Sequence, residues 1–483
     1  GQRALAPAAR ANPALWIWWV NADTDRDGLT NLTEIVRTGT NWRKADSDGD
    51  GFGDKAEILA GSDPRDPADT PDRTPPPEVP PGEPNPPETP PTTPEEPPAE
   101  PPEPEEPPVE PPLPPEQPPV WPPASSCATG ATNAATAAAV TSAVTAQKSV
   151  CITAAVGNLS FAGLGDRSGV VISTNGGSIG HIEIDGTAGL TLRSARLRSV
   201  TIRSSNRTVI EGSTIGGTAA NRVLDQLIFI PDKSTDVVIR GNDIGWTKAD
   251  NSGNTGYGCR CYGQTDRLQF VGNVVHDIAA DGFQGTNGSD ILIDRNKIGP
   301  VGANPGSSEH SDNIQIVGNG PNLRITNNWI YQQGYYDGNV TSNAGSTYIH
   351  GGTSNSLLYE NNLIQTARGR TEICGLGTGG TSRSNITIRR NTWVDGGQTY
   401  SGFPGFEWDC DSGSGNRVER NVAVDPDGGF AQNGSSAAAA FTANLWGKPS
   451  LVTLDALGNC TSANCNPAGQ EAIGYRKPTG VGW

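Results

Sequence analysis

The stretch VVIRGNDI at 237–244 returns in altered form six more times toward the C-terminus. The copies are LQFVGNVV at 268–275, ILIDRNKI at 291–298, LRITNNWI at 323–330, LLYENNLI at 357–364, ITIRRNTW at 386–393 and a weaker RVERNVAV at 417–424. In each, a few alternating apolar residues lead to an Asn and then to one or two more apolar residues. The anchors Asn242, Asn273, Asn296, Asn328, Asn362, Asn391 and Asn421 are separated by 31, 23, 32, 34, 29 and 30 residues. A fixed motif with variable spacers of this size predicts one coil of a solenoid per copy, with insertions displaced into loops.

The coils are expected to be β rather than helical. The apolar residues alternate with period two and are dominated by Val, Ile, Thr, Tyr and Trp, the residues that strands favour. No window shows a sustained 3.6-residue stripe. The Asn suits a tight corner, because it tolerates left-handed backbone angles. Stacked at equivalent corners, such side chains can hydrogen-bond along the coil axis. A second strand set supports this, with DQLIF at 225–229, DGFQG at 281–285, DNIQI at 312–316, TYIHG at 347–351, EICGL at 372–376 and FEWDC at 406–410. LTLRSARL at 190–197 and VIEGSTI at 209–215 extend the pattern upstream. On these residues the chain resembles the right-handed parallel β-helix superfamily of pectate lyases and related proteins, over roughly 150–446. That resemblance implies a mainly β fold. It leaves function open, since the fold hosts lyases, hydrolases, phage spikes and adhesins.

Charge divides the rest of the chain. The 483 residues carry a formal charge of −17, of which residues 1–73 supply −4, residues 74–123 supply −11 and the remainder −2. A nearly neutral coil domain excludes a bulk basic field for nucleic acid. Residues 74–123 are Pro and Glu with little else, a composition that cannot build a core and predicts an extended polyproline II linker. Residues 1–73 form a first module, 124–446 the coil domain and 447–483 a tail or cap.

The first module carries the sharpest chemical motif. DTDRDGLTNLTE at 23–34 and DSDGDGFGDKAE at 46–57 each match the twelve-residue calcium loop of an EF-hand. The expected ligands are Asp23, Asp25, Asp27, the Leu29 carbonyl, Asn31 and Glu34 in the first loop. In the second they are Asp46, Asp48, Asp50, the Phe52 carbonyl, Asp54 and Glu57. Hard oxygen donors converge on one ion, a central Gly permits the sharp turn, and the closing Glu can bind bidentate. The plain alternative is a solvated acidic loop. With the trailing EIVRTGTN and EILAGSDPRDP, this segment resembles bacterial thrombospondin type 3 repeats, and dockerins also pair two such loops. Either resemblance implies calcium as cofactor in a connector or docking module. Ahead of it, ALWIWWV at 14–20 is too short to span a bilayer. It reads as an element covering the calcium module, or as a plug burying Trp16, Trp18 and Trp19 in a neighbouring subunit.

Eight cysteines point outside the cell or to its surface, with Cys127–Cys151, Cys374–Cys410 and Cys460–Cys465 as local pairs. Cys259 and Cys261 remain, with a strained bond between them as one option. If the second strand set stacks, Asp281, Asp312, Glu372 and Asp409 fall near one another, with His276, His310, His350 and Arg370 close by in sequence. Paired carboxylates with a His suit glycoside hydrolysis, and carboxylates holding calcium beside an Arg base suit β-elimination. The alternative is that a repeat puts polar residues at equivalent corners for structural reasons. Trp246, Trp329, Trp393 and Trp408 can stack on sugars or fill the core. Two functions follow. One is a calcium-binding structural subunit that self-associates through its N-terminal module into a fibre or surface assembly. The other is a secreted polysaccharide lyase or glycoside hydrolase with a tethered calcium module.

Overall fold

The computed structural model describes residues 25, 40–41, 43–55, 57, 62, 64–65 and 67 of the N-terminal part, and 127–481 apart from breaks. The breaks are 218–225, 247–255, 279, 287, 302–310, 319, 332–344, 351–355, 367–370, 376–382, 396–405, 409, 411, 425–429, 433–438, 447–454, 456–458, 460, 467–470 and 480. The apolar stretch 14–20, the linker 74–123 and all of the first calcium loop except Asp25 lie outside the described residues. The chain divides into two compact units, Gly1–Pro108 and Val109–Trp483.

In the second unit each coil from Val238–Arg240 to Arg417–Glu419 contributes a first strand, an Asn corner, a second strand and then, across a longer connection, a third strand. In one coil these are Val238–Arg240, Asp243–Trp246 and Tyr257–Cys261. The next supplies Gln269–Val271, Val274–His276 and Phe283–Thr286. First strands pair only with first strands of neighbouring coils, in a parallel 13-stranded sheet running from Thr132–Ala134 to Ala440–Thr442. Second and third strands stack in the same way, for example Asp243↔Val274 and Cys259↔Phe283. This is a parallel β-helix.

Period-two alternation decides what fills it. Ile239, Phe270, Ile293, Ile325, Tyr359, Ile388 and Val418 are the middle residues of successive first strands, and all are wholly buried in one continuous core. Ile228, Ile230, Ile314, Ile373, Phe406 and Trp408 enter that core from the third strands. Each such side chain stabilises the coil by roughly 1.5–3 kcal/mol through burial. A helix over Ala137–Thr145, N-capped by the Thr136 hydroxyl, packs Val140, Ala143 and Val144 against the first coil.

The Asn residues form the ladder that the repeat predicts, with one correction. Asn328 accepts from the Asn296 backbone N–H at 2.9 Å and from its side-chain amide at 3.0 Å. Its own amide donates to Ile293 O and to Asn362 Oδ1. The same four bonds recur at Asn273, Asn296, Asn362, Asn391 and Asn421. The left-handed residue, however, is the one before each Asn: Gly241, Gly272, Arg295, Asn327, Asn361, Arg390 and Arg420 have φ between 53° and 63°. The ladder needs the Asn side chain inside the coil and its N–H along the axis. The preceding residue, facing outward, therefore makes the bend.

Cys374–Cys410 joins neighbouring third strands, and Cys127–Cys151 ties the entering chain to the first complete coil. Cys465 is also disulfide-bonded. Cys259 and Cys261 are buried with their sulfurs 3.5 Å apart, so the bond between them that spacing allowed does not form. Among the described residues no helix is long and apolar enough to cross a membrane.

Candidate functional site

The second acidic loop, at 46–57, is described apart from residue 56. Left-handed Gly49 and Gly51, with φ of 83° and 98°, fold it tightly. Asp46 accepts from the backbone N–H of Gly49 at 2.6 Å and of Gly51 at 3.0 Å. Asp48 and Asp50 each accept from the N–H two residues on, at 3.1 and 2.8 Å. These bonds bring carboxylate oxygens of Asp46, Asp48 and Asp50 within 4.8 Å of one another. Asp54 is wholly buried and its two oxygens accept from Ser47 N–H and Oγ–H at 2.6 and 2.7 Å, which closes the loop.

Glu57 decides what this arrangement can hold. Its carboxyl is wholly buried, and burial together with Asp50, Asp48, Asp54 and Asp46 pushes its pKa up to about 7. Neither Glu57 oxygen, nor Oδ2 of Asp48 or Asp50, has a hydrogen-bond partner among the described residues. Four inaccessible anionic oxygens left without donors would cost several kcal/mol. A hard cation satisfies all of them at once. The residues present therefore fit calcium.

A second site lies on the coil. In the third strands the core-facing residues alternate with a column that projects the other way. Register places Phe229, Arg260, Gln284, Gln315, Tyr348, Glu372 and Glu407 on successive rungs of that column. Two of the carboxylates expected from sequence join its upper end. Asp281 Oδ1 accepts from the Asp312 backbone N–H at 2.8 Å, and its Oδ2 accepts from the Gln284 amide at 3.0 Å. Gln315 donates to Asp312 Oδ2 at 3.2 Å, and Arg260 Nε donates to Gln284 Oε1 at 2.7 Å. The Gln284 amide also donates to Gln315 Oε1. The Arg260 guanidinium lies 4.3 Å from the ring centres of both Tyr257 and Tyr262.

Asp281 and Asp312 thus hydrogen-bond to glutamines of the column on which Glu372 lies. Asp281 and Asp312 are held by amide donors, whereas Glu372 and Glu407 occupy adjacent rungs, both buried. Glu407, Tyr348 and the two glutamines escaped the sequence reading. His276 belongs elsewhere, on a second strand. Its Nε2 meets Asp243 at 2.9 Å and its Nδ1 meets Asp277 at 2.7 Å. The Asp243 contact raises the imidazole pKa against burial, and Asp277 adds to it. His310, Arg370 and Asp409 lie outside the described residues, as does the side chain of His350. Trp393 and Trp408 are core residues. Trp329 remains half-exposed, with the Lys297 ammonium 4.4 Å from its ring centre.

No family model and no curated protein matches the chain. Several solved structures are similar to it. Dettilon tailspike protein is 12% identical with a TM-score of 0.38, and the match covers 64% of this chain and 64% of that one. The A-module of an Azotobacter vinelandii mannuronan C-5 epimerase is 15% identical with a TM-score of 0.34, over 66% of this chain and 93% of the module. A pectate lyase is 11% identical with a TM-score of 0.29, over 70% and 84%. This chain therefore spans about two thirds of the tailspike's length.

Proposed function

We propose that this is an extracellular, calcium-binding β-helix protein that acts on polysaccharide at the face bearing Glu372 and Glu407. The observation that supports it is the pair itself, two buried carboxylates in register on neighbouring third strands. Adjacent rungs are about 4.8 Å apart, which is of the order of the ~5 Å between the carboxyl groups of a retaining glycoside hydrolase. One carboxyl can then protonate the leaving oxygen while the other attacks or stabilises the sugar. Tyr348, on the rung before Glu372, and Gln315, before that, would orient hydroxyl groups. A purely structural ladder would repeat one residue type, as the Asn corner does, and this column does not.

Calcium belongs to the proposal as the ion of the module resembling thrombospondin type 3 repeats. Asp46, Asp48, Asp50, the Phe52 carbonyl and Glu57 would hold it in the second loop, with Asp54 serving through Ser47. In that position the ion neutralises the cage and stiffens the module. The same module supports a second reading, a self-associating fibre subunit docked through its N-terminal part.

Incubation of the full chain with acidic and neutral polysaccharides tests the first reading. Reducing ends count cleavage, and ultraviolet absorbance of unsaturated ends separates elimination from hydrolysis. Glu372→Gln and Glu407→Gln are each expected to lower turnover by about a hundredfold or more, with circular dichroism unchanged. Undiminished turnover in both variants, or none in the parent across the panel, would remove the proposal.

A further inference from the structure

A cleft of about 470 Å³ opens on the outer side of the first-strand sheet, well apart in the coil cross-section from the Glu372–Glu407 column. Its floor comes from three neighbouring coils, through Asp294 with Arg295, Arg324, and Glu360 with Asn361, while Arg390 and the C-terminal chain at Ala472 and Arg476 wall it. The C-terminal chain is a strap laid along the coil axis. Gly474 N–H donates to Arg420 O at 2.8 Å, Tyr475 N–H to Thr392 Oγ1 at 2.8 Å and Arg476 N–H to Asn361 Oδ1 at 2.7 Å. Three consecutive strap residues therefore engage three successive coils, and wholly buried Tyr475 anchors them.

The charges in this cleft are uneven in a domain that is otherwise almost neutral. Four arginines face two carboxylates, leaving two positive charges. Arg295 pairs with Asp294, and Arg390 with Glu360. Arg476 is turned to the carbonyls of Ile473 and Tyr475 and to Asn466, so it holds the strap. Arg324 is exposed at the floor; its backbone N–H donates to Ile291 O in the sheet, while its guanidinium makes no hydrogen bond or ion pair among the described residues. Each guanidinium has five N–H donors in a planar fork that matches a carboxylate, and the ion pairs use only part of that capacity.

We propose that this cleft binds an acidic sugar, with the carboxylate of a hexuronate unit on Arg324 and its hydroxyls on the Asp294 and Glu360 carboxylates and their arginines. The volume lies within the range of small-molecule sites. Acceptors interleaved with donors suit hydroxyl groups, which give and take hydrogen bonds. The side chains of Leu292 and Ala472 offer the apolar surface that a sugar ring covers. A polyphosphate chain would instead bring its charge against Asp294 and Glu360. The inference shares with the preceding reading only the premise that the chain meets polysaccharide, because the cleft and the paired glutamates lie on different sheets.

Calorimetric titration of the full chain carrying both Glu372→Gln and Glu407→Gln reads binding without turnover. The probes are galacturonate and mannuronate trisaccharides, a neutral glucose trisaccharide and inorganic phosphate. At least one uronate is expected to bind, with affinity that falls as salt rises. Adding Arg324→Gln, at an exposed position whose change leaves the fold intact, is expected to weaken it at least about tenfold. Equal binding of the neutral sugar, binding of phosphate alone, no binding at all, or an unchanged affinity in the Arg324 variant would each overturn the proposal. Because the paired glutamates are already removed, none of these outcomes bears on the site they form.

Discussion

Replacing Asn328 by Ala tests whether the corner ladder, rather than the apolar core alone, holds the coils in register. The side chain makes four hydrogen bonds, all buried. Its loss strands the Asn296 backbone N–H and one N–H of the Asn296 amide. Ile293 O loses its amide donor, whereas Asn362 Oδ1 keeps the Asn328 backbone N–H at 3.0 Å. Stranding a buried group costs about 1–3 kcal/mol. Two donors and one carbonyl therefore make the change worth about 3–9 kcal/mol, a large share of the roughly 5–15 kcal/mol by which folded domains exceed their unfolded chains. Asn444, the half-buried end of the ladder, accepts from the backbone and side chain of Asn421 and donates to Val418 O. Water can replace those bonds, so Asn444→Ala should cost about 1 kcal/mol. Urea unfolding followed by tryptophan fluorescence and near-ultraviolet circular dichroism compares the two, with linear extrapolation giving the free energies. Native-state hydrogen exchange should also show the Asn296 amide losing protection in the Asn328 variant alone. Equal and small losses at both sites would mean that the ladder is a passive consequence of stacking, and the argument would fail.

Three further outcomes follow from groups already described. Glu57→Gln should weaken calcium binding at the second loop by about tenfold or more, measured by calorimetry on the full chain, because it removes the closing carboxylate of the cage; an unchanged affinity would place the ion elsewhere. Sedimentation of the same two proteins with and without chelator tests the fibre reading, which expects a calcium-dependent large species from the parent and predicts its loss in the variant. His276 carries the pH dependence. Its pKa is raised in the folded chain above 6.5, so its bonds to Asp243 and Asp277 contribute fully below that value and are lost as pH rises through the higher folded value. The stability difference between the parent and His276→Gln should therefore shrink from acid to alkaline pH, and a difference that does not change with pH would contradict the assignment.

The coil was legible because its determinants are local. Alternation in a stretch such as LRITNNWI states which side chains point inward, and the Asn that follows states where the chain turns. The bend itself was read one residue late, and for a physical reason. The left-handed residue faces solvent, so Gly272, Arg295, Asn361 and Arg390 all serve there at a cost of about 1–2 kcal/mol for the non-glycines. No single residue type marks the position. The candidate sites are harder, since they depend on register between coils. From Arg260 to Gln284, Gln315, Tyr348, Glu372 and Glu407 the spacing is 24, 31, 33, 24 and 35 residues, set by connections whose lengths carry no common rule. Asp281 and Asp312 could be placed because each opens a recognisable strand. Glu407 sits between Phe406 and Trp408, where alternation makes it the outward residue, yet only the register between coils sets it beside Glu372. The acidic loop at 46–57 is the opposite case, as its carboxylates lie within twelve residues and their order is itself the geometry. The Arg324 cleft is the extreme one. Arg324 and Arg476 come together only because Gly474, Tyr475 and Arg476 bind three coils in turn, and no pattern in either stretch of sequence refers to the other.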